Sequence, residues 1–573
     1  MSTSEELFRN MQQFVRDETV AQRDSFQKLW QTPLHERVRE GRCLDGLNYA
    51  VTVDNKIKFE CQRQNDSDFR EDDLVRVSLG EPNFSVLEAN VYRVEDYAIW
   101  LTGKPNSLTD KPEGPWVLDH SYLDLSETFF RALDELASSA RGRERILPVL
   151  TGEAKNTTEL QLFSESLDAM PDGKTNDSQK EAIAQGVAAE LVHLIQGPPG
   201  TGKTYVLAEI VRQRIEAGEC ILVTGPTHRA IHHALNQIRK ILPENVPVVK
   251  IGRVIHDPDL QVAQYETFAD SPLADAQEGY VVGATPFAAR SRLGKVDFDT
   301  VLIDEASQIT LPLAVMAMLS AETYLFIGDH KQLPPVVLSV PPLEAATVSI
   351  FHHLAGRGNT SLLTHTYRMN DTLTHWPSES FYSGKLRAAP ANASRRLALP
   401  GGLQDFYEVL DPAHPLVFVE MEHATSYRHS DDEASLVANL LLQLHLAGIA
   451  LENVAVVAPF RRQARRIRSF LGAKKELRRP DWADCAIDTV ERMQGQEREV
   501  ILISMTASDP VYLQKMAEFL LLPQRLNVAL TRARSKVILI ASRQISRIPA
   551  LAETFDLVDF WKTLRQHAHT VAL

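Results

Sequence analysis

The chain has 573 residues, too many for one hydrophobic core, and its 44% hydrophobic and 24% charged residues are the proportions of a globular protein. A net charge of −14 argues against a protein that coats duplex DNA through bulk positive charge, although a narrow basic channel can sit on an acidic body. Four widely spaced cysteines, Cys43, Cys61, Cys220 and Cys485, argue against a disulfide framework or a Cys-rich metal site and fit a reducing cytoplasm.

The N-terminus, Met1 to Glu6, lacks the pattern of a signal peptide. The apolar stretch Leu311 to Ala321 is broken by Pro312 and is too short to span a bilayer, so no membrane is expected as a partner. Helical spacing of Leu7, Met11 and Phe14, then of Phe26 and Trp30, predicts an N-terminal helical segment. From about Asn48 to Gly103 short alternating runs predict a small antiparallel β-barrel. A hairpin is expected at Asp54-Asn55, and strands at Leu74–Val77 and Val91–Val94. Helix returns near Tyr122, with Phe129, Phe130, Leu133 and Leu136 on one face. From about Glu159 strand and helix alternate, the pattern of a parallel sheet with helical crossovers. Strands are read at Leu191–Ile195, Ile221–Val223, Val301–Ile303 and Tyr324–Ile327, and after a Pro/Gly-rich break at Ala388–Gly402 again at Leu416–Val419, Val454–Val457, Val500–Ser504 and Val537–Ile540. The expected limits are a stalk over 1–42, a barrel over 43–118, a return helix over 119–158, and two α/β domains over 159–400 and 401–573.

Gly197-Pro198-Pro199-Gly200-Thr201-Gly202-Lys203-Thr204 satisfies the G-x-x-x-x-G-K-[ST] pattern, with an apolar strand before it and a helix-forming run after it. Glycines let backbone N–H groups curl around phosphate oxygens, and the helix N-terminus favours the anion. Lys203 is expected at the β- and γ-phosphates and Thr204 on Mg²⁺. Asp304 and Glu305 follow the apolar run Val301-Leu302-Ile303. The first is expected to hold Mg²⁺, and the second to orient and deprotonate the attacking water. An ATPase or GTPase is the minimum reading.

Further motifs stand in order after these. Asp304-Glu305-Ala306-Ser307-Gln308, Gly328-Asp329-His330-Lys331-Gln332, Thr366-Tyr367-Arg368-Met369, Thr489 to Glu497 and Asn527 to Arg534 resemble motifs II to VI of superfamily 1 helicases. Among these the pattern most resembles superfamily 1B, the branch of the nonsense-mediated-decay and immunoglobulin-mu-binding helicases. The resemblance implies two tandem RecA-like P-loop domains with an N-terminal helical stalk and a small antiparallel β-barrel. By position, Gln179 resembles the adenine-reading glutamine, Tyr367 the base-stacking tyrosine, Gln332 the γ-phosphate sensor and Glu497 the ribose-contacting acid. Arg368 and Arg532 resemble two arginine fingers. Pro226, Thr227, Thr285 and Thr489 fall in loops that hold the sugar–phosphate backbone in the family. Thr366 and Met493 depart from the family's usual Gln and Phe, and the segment Ile255–Gly279 is too short for the large helical insertion of some relatives.

Two local features stay open. The run Arg461, Arg462, Arg465, Arg466, Arg468, Lys474, Lys475, Arg478 and Arg479 either leads a strand to the channel or is a solvated helix face. His232-His233 is read as helix surface rather than a metal site. The resulting expectation is a cytoplasmic, monomeric ATP- and Mg²⁺-dependent helicase, moving 5′→3′ on single-stranded nucleic acid and tailed duplexes, DNA or RNA. The alternative is a nucleic-acid-stimulated ATPase that remodels protein–nucleic-acid complexes without processive unwinding.

Overall fold

The computed structural model describes all residues except 1–2, 66, 103–113, 155–156, 171–172, 256, 277, 340–348, 358–359, 478, 494 and 550–553. Arg478 of the basic run and Gln494 of the fifth motif therefore lie outside the described residues.

The chain opens with a helix, Thr3–Gln31, whose Glu5 and Glu6 in the first turn and Lys28 in the last oppose its dipole. Leu7, Met11, Phe14 and Val15 are buried against Leu133 and Leu136 of helix Ser126–Ser138, in a core shared with the first α/β domain. The stalk is thus welded to that domain by apolar packing. Between the two helices lies a closed barrel of β1 (Cys43–Val53), β2 (Lys56–Cys61), β3 (Leu74–Ser78), β4 (Leu87–Glu95), β5 (Ala98–Thr102) and β6 (Trp116–His120), in the order β1-β2-β5-β4-β3-β6. All its pairings are antiparallel. Asp54 and Asn55, at φ 48° and 59°, make the two-residue hairpin turn that fits the twist of β1 and β2.

Helix Leu34–Arg39 carries Arg37, 2% exposed, onto the fully buried carboxylate of Asp119 in β6. Removing one member of such a pair leaves a buried charge without its counterion. Arg37→Ala is therefore expected to cost about 3–5 kcal/mol, read as a lower urea midpoint. The matched apolar pair Arg37→Met with Asp119→Leu should recover most of it, and a single-variant loss below about 1 kcal/mol would refute a desolvated pair.

The first α/β domain has an all-parallel sheet of β7 (Val192–Gln196), β8 (Ile221–Thr224), β9 (Val248–Ile251), β10 (Ala263–Tyr265), β11 (Val281–Gly283), β12 (Phe298–Ile303), β13 (Ala321–Gly328) and β14 (Thr360–Leu362). Its order is β10-β9-β11-β8-β12-β13-β7-β14. Alternate residues of these strands, such as Leu222, Val301 and Ile303 against Val223, Leu302 and Leu325, fill two separate cores. Apolar residues on both faces are why these strands read as continuous Val/Ile/Leu runs. A short parallel pair, β15 (His365–Thr366) and β16 (Arg387–Ala388), follows. The second sheet, β17 (Leu416–Met421), β18 (Val454–Val457), β19 (Ala486–Asp488), β20 (Arg498–Ser504), β21 (Ala533–Ser542) and β22 (His569–Ala572), is again parallel, ordered β19-β18-β20-β21-β17-β22. The α/β class with barrel and stalk is as expected.

Packing moves one expected limit. Met369, Leu373, Trp376, Tyr382 and Leu386 share a core with Phe418, Ile501 and Leu539 of the second sheet, and Leu397 joins that sheet's other core. We therefore place the start of the second α/β domain near residue 364 rather than 401. No described helix is long and apolar enough to cross a membrane.

Candidate functional site

The phosphate loop joins β7 to helix Lys203–Glu216. Gly200 and Gly202 sit at φ 74° and 83°, a left-handed conformation that glycine adopts without strain. The loop also has no room for side chains. A Cβ at Gly197 would fall on Lys203, one at Gly200 on Arg368 and Thr366, and one at Gly202 on the amide of Gln179. Thr201 closes the turn by donating from Oγ1 to the Pro198 carbonyl at 2.8 Å. Lys203 Nζ donates to the Gly197 carbonyl at 2.7 Å, so the ammonium lies folded over the loop.

Asp304 and Glu305 follow β12, as expected. Asp304 is 5% exposed and accepts from the Glu305 N–H at 2.9 Å. Burial first, and the neighbouring Glu305 charge second, push the Asp304 carboxyl up to about 7. Two carboxylates facing a lysine loop with that strain on ionisation are a donor set suited to a hard divalent cation. Glu305 holds a left-handed backbone, φ 49° and ψ 39°, which costs a non-glycine residue of order 1–3 kcal/mol and places it among the strained positions that cluster at working sites. Thr204 Oγ1 lies 3.5 Å from His233 Nδ1.

The second domain closes this cleft. Tyr367 N–H donates to the Gly200 carbonyl at 2.8 Å, and its hydroxyl accepts from Asn176 Nδ2 at 2.9 Å. Asn176 caps the helix Asp177–Ala188 in a reciprocal capping box with Gln179. Gln179 is consequently busy: Oε1 accepts from the Asn176 N–H at 3.1 Å and Nε2 donates to the Thr201 carbonyl at 3.0 Å. One lone pair and one N–H of its amide remain for a base. Arg368 Nε pairs with Glu497 at 2.7 Å and its NH1 donates to the Thr531 carbonyl at 2.9 Å. Arg534 meets the same carboxylate. Burial opposes the charge on Glu497, but the hydrogen bonds and charges of Arg534 and Arg368 hold its carboxyl down to about 2. The expected ribose contact is thus an arginine bridge here. Arg532, 3% exposed, donates from NH2 to Gln332 Oε1 at 3.2 Å across the domain junction.

Sequence reasoning missed what steadies this junction. Asp329, fully buried, accepts from Gln332 Nε2 at 2.9 Å, from the Tyr382 hydroxyl at 2.7 Å and from Gln196 Nε2 at 3.2 Å. Asn527 Nδ2 donates to the Tyr382 hydroxyl at 3.1 Å and to the Lys331 carbonyl at 2.9 Å. Asp329 stands inside the third motif, three residues before Gln332, the spacing that lets both side chains meet. Nothing local marks Tyr382.

The expected nucleic-acid contacts lie at the carboxyl ends of the strands. Thr227 and Thr285 are helix N-caps whose hydroxyls accept from Ala230 N at 3.2 Å and Ala288 N at 3.1 Å, leaving each O–H to donate. Pro226 precedes Thr227, and Thr489, 7% exposed, follows β19 with its N–H on Asp488. The basic run divides. Arg461 and Arg465 pair with Asp68 of the barrel, Arg466 with Asp431, and the exposed Arg468 donates to the Ile487 carbonyl. Arg461 and Arg465 are therefore engaged by the barrel rather than merely solvated. His232 is likewise not helix surface: it is 4% exposed, with Nδ1 2.5 Å from Asp257. No group of ligands fit for a metal of its own occurs among the described residues.

A family described as an AAA domain matches residues 346–544, and another of the same description matches residues 174–278 and 276–340. The mouse DNA replication ATP-dependent helicase/nuclease DNA2 is similar at 27% identity over 93% of this chain and 54% of that protein. The protein of that name from Saccharomyces cerevisiae is 28% identical over 68% of this chain and 27% of its own length. The DNA-binding protein SMUBP-2 of Mesocricetus auratus is 26% identical over 67% of this chain and 44% of that protein. The chain thus spans about half, or less, of the curated relatives it matches. Six motifs in order, on two matched AAA domains that close one cleft, support the resemblance of this chain to superfamily 1 of the helicases.

Proposed function

We propose that the chain is an ATP-driven translocase that steps 5′→3′ along single-stranded nucleic acid and separates a duplex ahead, in the manner of the superfamily 1B branch. The observation that carries this reading is the Arg532–Gln332 contact, which joins the second motor domain to the first beside the phosphate loop. A cleft whose charge-bearing groups come from two domains can couple phosphate chemistry to their relative motion.

In this reading the phosphate loop cradles the triphosphate, and Lys203 turns from the Gly197 carbonyl to the β- and γ-phosphates. Thr204 and Asp304 hold Mg²⁺, which supplies neutralising charge on those phosphates when bound. Glu305 takes the proton of the attacking water, and Gln332 reports the γ-phosphate to the junction. Arg532 and Arg368 neutralise charge on the transferred group, Arg368 leaving Glu497 free for the ribose. Tyr367, 45% exposed, stacks on the base whose edge Gln179 reads. Pro226, Thr227, Thr285 and Thr489 grip the strand backbone without reading sequence. The chain works as a monomer, and its four free cysteines fit a reducing cytoplasm.

Direction is tested by strand displacement, with Lys203→Ala as the blank and DNA and RNA run in parallel. A duplex with a 5′ single-stranded tail is expected to open while a matched 3′-tailed duplex resists. Preference for the 3′ tail would place the chain outside the proposed branch. Failure on both, with ATPase strongly stimulated by single strands, would favour a motor that remodels protein–nucleic-acid complexes.

A further inference from the structure

Four strands, two from each motor sheet, deliver a nitrogen donor just beyond their carboxyl ends: three give a guanidinium, and β8 gives an imidazole that burial keeps neutral, its pKa pushed down to about 3. His228 follows β8 and Arg253 follows β9 in the first domain; Arg461 follows β18 and Arg492 follows β19 in the second. Carboxyl ends of parallel strands are where open α/β sheets bind ligands. These groups adjoin the expected backbone grips, since His228 follows Thr227, Arg492 lies three residues after Thr489, and the residue before Arg253, Gly252, packs on the helix that Thr285 caps.

All four converge on one loop of the barrel, between β2 and β3. Asp68, 8% exposed, pairs with Arg461 at 2.6 Å and Arg465 at 3.2 Å, and its carbonyl accepts from Arg492 at 3.2 Å. Asp72 pairs with Arg253 at 2.8 Å and lies 3.9 Å from His228 Nε2, beside the buried Lys250. The loop is built for this. Asp68 N–H is tied to the Gly41 carbonyl at 2.7 Å, and Gly41, at φ 74°, lacks the Cβ that would strike the Arg465 guanidinium. Asp72 holds a left-handed backbone, φ 75°, unusual for a non-glycine residue. Polar atoms are left over as well: the Arg492 Nε donor and His228 Nδ1 are buried with no partner among the described residues.

We propose that the barrel loop 67–73 lies in the strand path, with the carboxylates of Asp68 and Asp72 standing where two backbone phosphates bind. His228, Arg253, Arg461, Arg465 and Arg492 are then phosphate contacts spanning both motor domains, and the loop withdraws when a strand enters. The inference rests on the proposed action on nucleic acid and specifies its contacts. A carboxylate and a phosphodiester oxygen offer guanidinium the same charge-assisted acceptor, so the exchange preserves the cations' pairing. The intramolecular occupant is always at hand, so it lowers apparent strand affinity by the fraction of chains in which the loop is out. The same contact clamps barrel to both motors until a strand competes, which reserves the bound state for long, multiply charged backbones.

The test is fluorescence anisotropy of the full chain with labelled single-stranded DNA and RNA of equal length, over a range of salt. Asp68→Asn with Asp72→Asn keeps loop shape and removes charge, and it is expected to tighten binding by about tenfold or more. Asp68→Glu with Asp72→Glu should return to near wild type. Arg253→Ala with Arg461→Ala and Arg465→Ala should weaken binding and flatten the salt slope by roughly 0.7 for each phosphate no longer neutralised. Thermal melting checks that each variant is folded, and the DNA and RNA arms say which backbone is preferred. Unchanged or weaker binding by the folded Asn variant overturns the proposal, as does unchanged affinity and slope in the Ala variant. If neither wild type nor the Asn variant binds any strand, the proposed action on nucleic acid itself falls. Should the Asn variant not fold, the Ala and Glu variants decide.

Discussion

Glu305→Gln is expected to bind ATP as the wild type does and to hydrolyse it at least about 10² times more slowly, the lower end of what a positioned general base contributes. Lys203→Ala should fail one step earlier, losing productive ATP binding, because the ammonium touches phosphates in the ground state whereas Glu305 acts on the water. The structure supplies the reason for the split. Lys203 rests on the Gly197 carbonyl at 2.7 Å, inside the loop that meets the phosphates. Glu305 stands beyond the end of β12 in a left-handed conformation, with Gln308 Nε2 3.4 Å from its carboxylate. Strain of that kind persists only when surrounding structure over-determines it, so the carboxylate is aimed rather than drifting. Glutamine keeps the shape and removes only the basicity. Equilibrium binding of a fluorescent ATP analogue and single-turnover hydrolysis, each with single-stranded DNA and RNA, separate the two steps. Wild-type turnover by Glu305→Gln would reassign the base, and unaltered ATP affinity in Lys203→Ala would displace the lysine from the phosphates.

How much of this was legible follows from the range of the forces involved. Strands buried on both faces announce themselves, because every residue of Val454–Val457 or Ile221–Val223 must be apolar whichever way it points. Asp54-Asn55 marks a turn because both residues tolerate positive φ. The phosphate loop is legible for the same local reason: its glycines are demanded by space within eight residues of chain. Edge strands such as Ala263–Tyr265, Ala486–Asp488 and His569–Ala572 were not read, being three or four residues long and partly exposed. Tyr382 was invisible because its partner, Asp329, lies 53 residues away on another domain. The basic run was ambiguous for a like reason. An arginine on a helix carries no sign of what faces it, and Asp68 is 397 residues from Arg465. We place the domain limit before the composition break because Pro/Gly-rich composition at 388–402 marks a loop, whereas Met369 and Trp376 pack in the core of the second sheet.

Arg532→Ala should lower kcat by about 10³ or more while changing ATP affinity far less, the signature of a group that works only as charge develops on the transferred phosphoryl. Arg532 is held by its Nε on the Val528 carbonyl at 3.0 Å and its NH2 on Gln332 at 3.2 Å, with NH1 3.4 Å from the Gln496 carbonyl. Three of its five N–H groups are thereby used and two remain for phosphate oxygens. Burial, with Arg368 adding repulsion, pushes the guanidinium below its ordinary pKa, so the cation is kept at a cost that an incoming negative charge relieves. The second-domain cation donates to Gln332 of the first domain, itself pinned by Asp329, so the geometry it needs depends on the two domains meeting. Gln332→Ala should accordingly reproduce part of the Arg532→Ala loss without removing any charge. Arg532→Lys should rescue little, because a compact ammonium cannot hold Val528, Gln332 and a phosphoryl oxygen at once. Single-turnover hydrolysis and separate ATP binding curves for the three variants measure this. A fall in kcat of less than about tenfold for Arg532→Ala would remove it from the reaction. A parallel collapse of ATP affinity and thermal stability would instead make it a buried prop of the domain junction.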